Sequence, residues 1–139
     1  MLMRLIRFGI SIPENLSKKF NQFIRNKKYS NRSEAIRDLI RKALVQEEVE
    51  QNAEVVAVVS LLYDHHKREL SERLLDLQHS KAQIVLTSTH IHLDHDNCIE
   101  VIIMRGESQE IKQLADALIA SKGVKHGTLE MSSTGKYLD

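Results

Sequence analysis

The chain has 139 residues, of which 42% are hydrophobic, which is enough for one or two small domains with buried cores. It holds no apolar run of 18 residues, so we expect no membrane span. Its start, MLMRLIRF, is too short and too alternating for a signal peptide. A single cysteine excludes a framework of internal disulfides and fits a cytoplasmic protein.

The net charge of +1 hides an asymmetry along the chain. Residues 1–45 hold eleven Lys or Arg against three Asp or Glu, whereas residues 46–139 hold nine against sixteen. This division predicts two modules, and the excess of positive charge predicts a polyanionic partner for the first one.

The first predicted element is a strand over residues 4–13, RLIRFGISIP, because apolar and polar side chains alternate there. Its apolar face comprises Ile6, Phe8, Ile10 and Ile12. Its polar face comprises Arg7, Gly9 and Ser11. One strand cannot complete its own backbone hydrogen bonds, so we expect it to pair with the same strand of a second copy as an antiparallel ribbon. Such a ribbon fits the major groove of DNA.

Two amphipathic helices are predicted after this strand. The first opens at Pro13, where the missing N–H costs little, and has its apolar residues at helical spacing. The second starts after Asn31, which we expect to cap it, and Glu34 completes a capping-box-like signal. The Arg and Lys side chains of these helices are either a nucleic-acid surface or simply a solvated helix face.

The segments RFGISIPENL and YSNRSEAIRDLIRKAL resemble the ribbon-helix-helix repressors. The resemblance implies that the ribbon contacts DNA bases through Arg7, Gly9 and Ser11. It also implies that the start of the second helix holds a backbone phosphate, as helix N-termini bind anions in general, through Asn31, Arg32 and Ser33. Ribbon positions in this family are often hydroxyl residues, and Gly9 departs from that pattern.

The polar and acidic residues 49–54 predict a linker, partly helical, between a DNA-binding domain at 1–48 and a second domain at 55–139. The second domain reads as a strand over 55–63, covered on both faces or packed at an interface, then a helix over 64–79 and a hairpin around LDHDN. A helix capped by Ser108 and a strand over 124–131 complete it. The β-α-β-β-α-β order predicts a ferredoxin-like domain, and the whole chain is of the α+β class.

The hairpin carries the residues with metal chemistry. His90 and His92 are two apart on a strand and share one face, and Cys98 opens the return strand. His79 lies just before the hairpin and is a candidate fourth ligand. Such an N/S set suits zinc if tetrahedral and Ni(II) or Cu(II) if square-planar. The alternative is a polar strand face beside a buried cysteine that acts as a small hydrophobe.

The two halves together resemble the NikR family of nickel-responsive regulators. The match rests on YDHHKREL at 63–70, QH at 78–79, HIHLDHDNCIE at 90–100 and GVKHG at 123–127. The resemblance implies an ACT-like second domain, a homotetramer built as a dimer of dimers, and one Ni(II) per chain in a square plane at the tetramer interface. Its implied ligands are His90, His92 and Cys98 of one chain and His79 of the partner subunit.

The resemblance also implies a function and further roles. The nickel-loaded form would bind an inverted-repeat operator and repress nickel-uptake genes. Glu100 and Tyr63 would support the metal ligands by hydrogen bonds, and Lys67 and Arg68 would face DNA. A second cation would lie at Glu34 and Asp38. Apart from the resemblance, we expect His95 and His126 to be bystanders, and the sequence leaves the roles of His65 and His66 open.

Two other classes of protein remain at this stage. One is an enzyme in which Cys98 is a nucleophile and a nearby histidine its base. The chain has no Gly-rich phosphate loop and no nucleophile elbow, and an enzyme would not need the basic strand-helix-helix module. The other is an ACT regulator that senses an amino acid, which would not need His79, His90, His92 and Cys98 together.

Overall fold

A computed structural model of the chain describes residues 3–139. The contacts between residues divide the chain into two units, one ending at Arg41 and the other spanning Lys42–Asp139. In the described residues, no helix is long and apolar enough to cross a membrane.

The first unit contains α1 (Glu14–Asn26) and the first part of α2 (Arg32–Glu50). Both predicted helices are confirmed, and Pro13 stands immediately before α1 with its carbonyl accepting a hydrogen bond from the Ser17 N–H at 3.0 Å. Residues 3–13 are exposed and form no strand within this single chain. The ribbon over residues 4–13, which needs a second copy, therefore stays a prediction.

Asn31 caps α2 as predicted, because its Oδ1 accepts a hydrogen bond from the Glu34 N–H at 2.9 Å. The carboxylate of Glu34 pairs with Arg37 at 3.0 Å, one helical turn onward. This carboxylate therefore does not form the reciprocal half of a capping box, in which Glu34 would accept the backbone N–H of the N-cap residue.

The second unit is a four-stranded antiparallel sheet with two helices packed on it. Its elements are β1 (Glu54–Tyr63), α3 (Arg68–Ser80), β2 (Val85–His92), β3 (Cys98–Glu107), α4 (Ser108–Ile119) and β4 (Val124–Ser133). The strand order is β2-β3-β1-β4, and the sequence of elements confirms the predicted ferredoxin-like domain. The two central strands, β3 and β1, carry the core, and β2 is an edge strand.

Alternate residues of β1 form one side of the core. They are Val55, Ala57, Val59, Leu61 and Tyr63. Ile111 and Leu118 of α4 pack against this face and are fully buried. The residues in between, such as Val56 and Val58, are half-buried or exposed. Within the chain, β1 is thus covered on one face only.

Two predicted helix starts are wrong. The helix expected over residues 64–79 begins at Arg68, because the Asp64 carboxylate accepts the His66 N–H at 2.9 Å and holds residues 64–67 in a turn. Ser108 is the first residue of α4 and not its cap. Its hydroxyl donates to the Val49 carbonyl at 2.6 Å, and the side chain of Asn52 accepts the Gln109 N–H at 2.9 Å instead.

The expected linker is shorter than the polar stretch suggested. The helix α2 continues to Glu50, only residues 51–53 separate it from β1, and Asn52 has a positive φ of 57°. Asparagine tolerates this left-handed conformation better than most residues, which explains its place at this reversal of the chain.

Candidate metal centre

The hairpin of β2 and β3 places potential ligands in neighbouring rows. His92 lies opposite Cys98 and His90 lies opposite Glu100 in the antiparallel register. Residues directly opposite one another have Cβ atoms about 4.5–5.5 Å apart and share a face of the sheet. The row of Cys98 continues into β1, where its partner is Tyr63. The fold thus brings the two imidazoles and the thiol onto one face.

Glu100 is buried beside these groups, with 2% of its surface exposed. Its Oε1 accepts a hydrogen bond from the Tyr63 hydroxyl at 2.7 Å. Its Oε2 accepts hydrogen bonds from the Gln78 amide at 2.8 Å and from the Ser88 hydroxyl at 2.6 Å. Nε2 of His90 lies 3.5 Å from the same oxygen. These donors offset the cost of burying the carboxylate and fix its position next to the imidazole.

Burial controls the protonation of two neighbouring groups. Burial and the adjacent Glu100 carboxylate both raise the pKa of Tyr63 well above its ordinary value, so the hydroxyl keeps its proton. Nδ1 of His90 lies 3.3 Å from this hydroxyl. Burial likewise raises the pKa of the Cys98 thiol. A hydrogen bond from Tyr63 lowers this pKa, and the negative charges of Glu100 and Asp64 raise it further. A metal ion that binds the thiolate must therefore displace a proton.

The four expected ligands do not meet within one chain. His79 is exposed near the end of α3, and the ring of His92 stacks on His65 with centroids 4.0 Å apart and planes 10° apart. Two sets of three potential ligand atoms within 4.8 Å of one another occur in the described residues, namely Asp64–His65–His66 and His66–His95–Asp96. His90, His92 and Cys98 thus share a face of the sheet, whereas His79 lies on α3.

The residues expected to contact DNA lie at exposed positions in both units. In the first unit, Ser33 is exposed at the start of α2, and Arg32 donates two hydrogen bonds to Oδ1 of Asn21 at 3.1 and 2.9 Å. The expected base contacts lie in the exposed segment before α1, and these are Arg7, Gly9 and Ser11.

In the second unit, Lys67 and Arg68 lie at the start of α3 and are exposed. Arg68 pairs with Glu72 at 3.1 Å along the helix, an exposed pair of small energetic weight. Its guanidinium can leave this partner at little cost, because both side chains are in solvent.

The two carboxylates expected at a second cation site each have a partner of their own. Glu34 pairs with Arg37, and Asp38 accepts a hydrogen bond from the Tyr29 hydroxyl. A cation between Glu34 and Asp38 would compete with both contacts.

Three contacts of this region were not predicted from the sequence, those of Gln78, Ser88 and His65. Gln78 continues the spacing of four that Leu70 and Leu74 define on α3, which marks it as a buried amide in need of a partner. Ser88 lies two residues before His90 on the same strand, and this spacing places its hydroxyl on the same face. The contact of His65 with His92 joins residues 27 apart, and no local pattern indicates it.

Comparison with known families identifies both units. Residues 56–132 match the NikR C-terminal nickel-binding domain, and residues 6–47 match the ribbon-helix-helix proteins of the copG family. The first match covers the sheet, both of its helices and every expected nickel ligand. It favours a metal over an amino acid as the effector of the second domain.

Relatives with the same arrangement are similar over almost their whole length. A protein of Geobacter sulfurreducens is 52% identical over 96% of this chain and 96% of its own length. Proteins of Desulfotalea psychrophila and Desulfovibrio desulfuricans are 51% and 49% identical over 96% of this chain and 98% and 97% of their own lengths. All three are named as nickel-responsive regulators.

These similarities exclude the enzyme considered for Cys98, since the family consists of transcriptional regulators. The chain belongs to the NikR family of nickel-responsive, DNA-binding regulators, with a ribbon-helix-helix domain followed by a nickel-binding domain.

Proposed function

We propose that this protein represses nickel-uptake genes when Ni(II) binds to His90, His92 and Cys98 of one chain and His79 of the partner subunit. One ion per chain would lie at the interface of a homotetramer, and the loaded tetramer would bind an inverted-repeat operator. The observation that carries the proposal is the register of β2 and β3, which places His92 opposite Cys98 and both imidazoles on its face.

The donor set fits nickel. Imidazole suits Ni(II), a thiolate adds a soft and strongly donating ligand, and square-planar geometry with such donors is diagnostic of Ni(II) or Cu(II). Bound Ni(II) would supply a rigid four-coordinate link between subunits. Sensing of Cu(II) is the second candidate, because copper binds more tightly than nickel in the usual divalent order.

The surroundings of His90 support its role as a ligand. Tyr63 keeps its proton and donates a hydrogen bond to Glu100, and Nδ1 of His90 lies 3.3 Å from the same hydroxyl oxygen. Nε2 of the same ring lies 3.5 Å from the Glu100 carboxylate, so both ring nitrogens have a polar neighbour. Glu100 is itself fixed by Gln78 and Ser88, so the orientation of the imidazole is supported from two sides.

A ligand from a second chain is supported by the position of His79. Its neighbour Gln78 points into the core and bonds Glu100, whereas His79 is exposed at the end of α3 and is available to another subunit. A ligand set shared between chains makes nickel part of the quaternary structure, so binding would favour one arrangement of the subunits.

The DNA-binding role rests on the first unit and the start of α3. Paired ribbons would present base contacts through Arg7, Gly9 and Ser11. The exposed N-terminus of α2 would hold a backbone phosphate through Asn31, Arg32 and Ser33. Lys67 and Arg68 would add phosphate contacts from the second unit, and a second cation at Glu34 and Asp38 would form only in the DNA complex.

The test is an absorption titration of reduced, metal-free protein with Ni(II). Wild type should develop a thiolate-to-nickel band that saturates at one ion per chain. The variant Cys98→Ala should lack the band, and the control His126→Ala, which changes an exposed histidine of β4, should keep it. The same spectrum in wild type and Cys98→Ala would contradict the proposed site.

The sharing of ligands between chains can be tested by mixing two inactive variants. His79→Ala and Cys98→Ala each lack one ligand, so neither should form the full site alone. In mixed tetramers, His79 of a Cys98→Ala chain can complete the site of a His79→Ala chain, which still has Cys98. The band should therefore return in part. If mixing restores no band after subunit exchange, His79 does not act across the interface.

The regulatory step is tested by DNA binding. Affinity for DNA upstream of nickel-uptake genes should rise with nickel by about 5–150-fold, the usual allosteric range. The rise should be absent in Cys98→Ala, whose nickel-free binding should equal that of wild type. Equal affinity of wild type with and without nickel would refute the mechanism.

A further inference from the structure

The segment GVKHG at 123–127 lies outside the residues expected to bind nickel or DNA, yet it contains an irregularity of the sheet. In the pairing of β4 with β1, the register shifts between Leu62 and Tyr63, and Lys125 is the extra residue on β4. Such a β-bulge turns the side chain of the extra residue in a new direction, and bulges are over-represented at sheet edges and beside functional sites. The direction that the Lys125 side chain takes is therefore informative.

The bulge lies at the end of the sheet where the nickel hairpin turns. Tyr63 pairs with Val124 on one side and with Cys98 on the other, so these three residues form one row across the sheet. Strands β4 and β3 flank β1 and are therefore about 10 Å apart, twice the ordinary strand spacing. The amine of Lys125 reaches across the end of β1 and donates a hydrogen bond to Oδ1 of Asn97, the residue before Cys98.

Asn97 is the residue on which the loop between β2 and β3 closes. Its carbonyl accepts the N–H groups of Leu93 and Asp94 at 2.9 and 3.3 Å. Its side-chain amide donates to the two carboxylate oxygens of Asp94 at 3.0 and 3.1 Å. The loop is thus closed on itself through Asn97, and the bond from Lys125 joins this closed loop to β4.

We propose that Lys125 is a positioning residue for the nickel centre and acts through Asn97. The loop of residues 93–97 joins His92 to Cys98, two ligands that must converge on one ion. A loop that is closed only on itself can still move as a unit, whereas a bond to β4 fixes it to the folded sheet. Ligands held in place before the ion arrives lose less conformational entropy on binding it, so the bond raises nickel affinity. The inference rests on the proposed nickel site.

The turn that carries Lys125 is itself fixed. Gly123 has a φ of 103° and lies so close to Leu70 that an added Cβ would come within 3.0 Å of the leucine Cδ2. The N–H of Val124 donates to the Ser121 carbonyl at 3.1 Å. This turn therefore gives Lys125 a rigid base from which to hold the loop.

The loop also contacts the turn before α3, where Nε2 of His66 lies 2.7 Å from the carbonyl oxygen of His95. That carbonyl belongs to a residue three positions before Cys98, whereas Asn97 immediately precedes the cysteine. Lys125 therefore holds the end of the loop from which the thiolate emerges.

The experiment measures the nickel affinity of full-length variants by the absorption titration, with EGTA as a competing chelator. Lys125→Met keeps most of the side-chain length and removes the donor, so it should bind nickel about three- to tenfold more weakly, the scale of one net hydrogen bond. Lys125→Arg can still donate to Asn97 and should restore most of the affinity. Lys122→Met, at an exposed lysine three residues earlier, should bind nickel as wild type does. The saturated thiolate band should be the same in all variants, because the four ligands are intact.

A double-mutant cycle tests whether Lys125 acts through Asn97. Asn97→Ala removes the acceptor, so Lys125→Met should weaken nickel binding no further in that background. A loss that is equally large in both backgrounds, a loss that Lys125→Arg does not restore, or equal affinity of wild type and Lys125→Met would overturn the positioning role. Absence of the band in wild type would overturn the nickel site itself, so the two failures are distinguishable.

Discussion

The two units of this protein differ in where their apolar side chains go. In the second unit, alternate residues of β1 and one face of α4 are fully buried, as Val59 and Ile111 show. Among residues 3–41 of the first unit, Ala35 alone is buried, and Phe8 and Ile10 are 71% and 62% exposed. The second unit therefore has a core of its own, whereas the first presents an apolar surface that a second copy can cover.

Charge divides the chain in the same way. The first unit, which lacks a core, holds ten Lys or Arg against three Asp or Glu, and the second unit, which has one, holds ten against sixteen. A basic unit with little core of its own suits a DNA-binding module that pairs with a second copy. A unit that folds internally is suited to hold ligands at fixed positions.

The largest expected effect is in the core of the second unit. Ile111 is fully buried, and Ile111→Ala should lower the free energy of unfolding by about 2–5 kcal/mol. The loss should not depend on protein concentration if this core is internal to one chain. Urea denaturation followed by circular dichroism measures it, and Leu75→Ala, at a residue that is 51% exposed, is the control with little effect.

A comparable substitution in the first unit should behave differently. Ile10 is exposed in the single chain, so Ile10→Ala would cost little if the unit were monomeric. If paired ribbons bury it, the variant should lose about 2 kcal/mol or more, and its melting temperature should rise with protein concentration. Ser11→Ala, on the opposite face, is the matched control and should weaken DNA binding alone. A melting temperature that is independent of protein concentration in both wild type and variant would contradict the expectation that a second copy covers the first unit.

Tyr63→Phe tests whether the metal site belongs to the second unit only. It removes the hydroxyl that bonds Glu100 and contacts His90, and nickel affinity should fall by about 10–100-fold. Binding of the metal-free protein to DNA should not change, because that affinity comes from the first unit. A loss of metal-free DNA binding equal to the loss of nickel affinity would show that the two functions are not separable in this way.

The sequence predicts local features of this fold well because they depend on periodicity. The continuous apolar run of residues 55–63 and the spacing of two between His90 and His92 each indicate a strand without knowledge of the rest of the chain, although the run did not show that only one face of β1 is covered within the chain. The same reasoning gives the order of the elements, since each has its own pattern.

What the sequence could not show depends on contacts between distant residues. The buried hydrogen bonds of Glu100 involve Gln78 and Ser88, which belong to two other elements. The start of α3 moved to Arg68 because the carboxylate of Asp64 competes for a backbone N–H. A pattern of apolar residues records neither a side-chain acceptor nor its partner. The sequence therefore did not indicate the partners of Glu100, and it placed the start of α3 too early.

The smallest expected effect concerns the junction between α2 and β1. The side chain of Asn52 accepts the Gln109 N–H at 2.9 Å and donates to Glu107 at 3.1 Å, so it caps α4 from 57 residues away in sequence. Asn52→Gly keeps the positive φ without strain and removes both contacts, and we expect it to cost about 1 kcal/mol of unfolding free energy.

A second substitution at this position separates the cap from the backbone conformation. Asn52→Ala removes the same contacts and adds the strain of a positive φ, so it should be more destabilising than Asn52→Gly by about 1 kcal/mol. Urea denaturation of both variants measures the difference. If Asn52→Gly were as stable as wild type while Asn52→Ala were not, the asparagine would serve the turn alone, and α4 would not depend on the end of α2 for its cap.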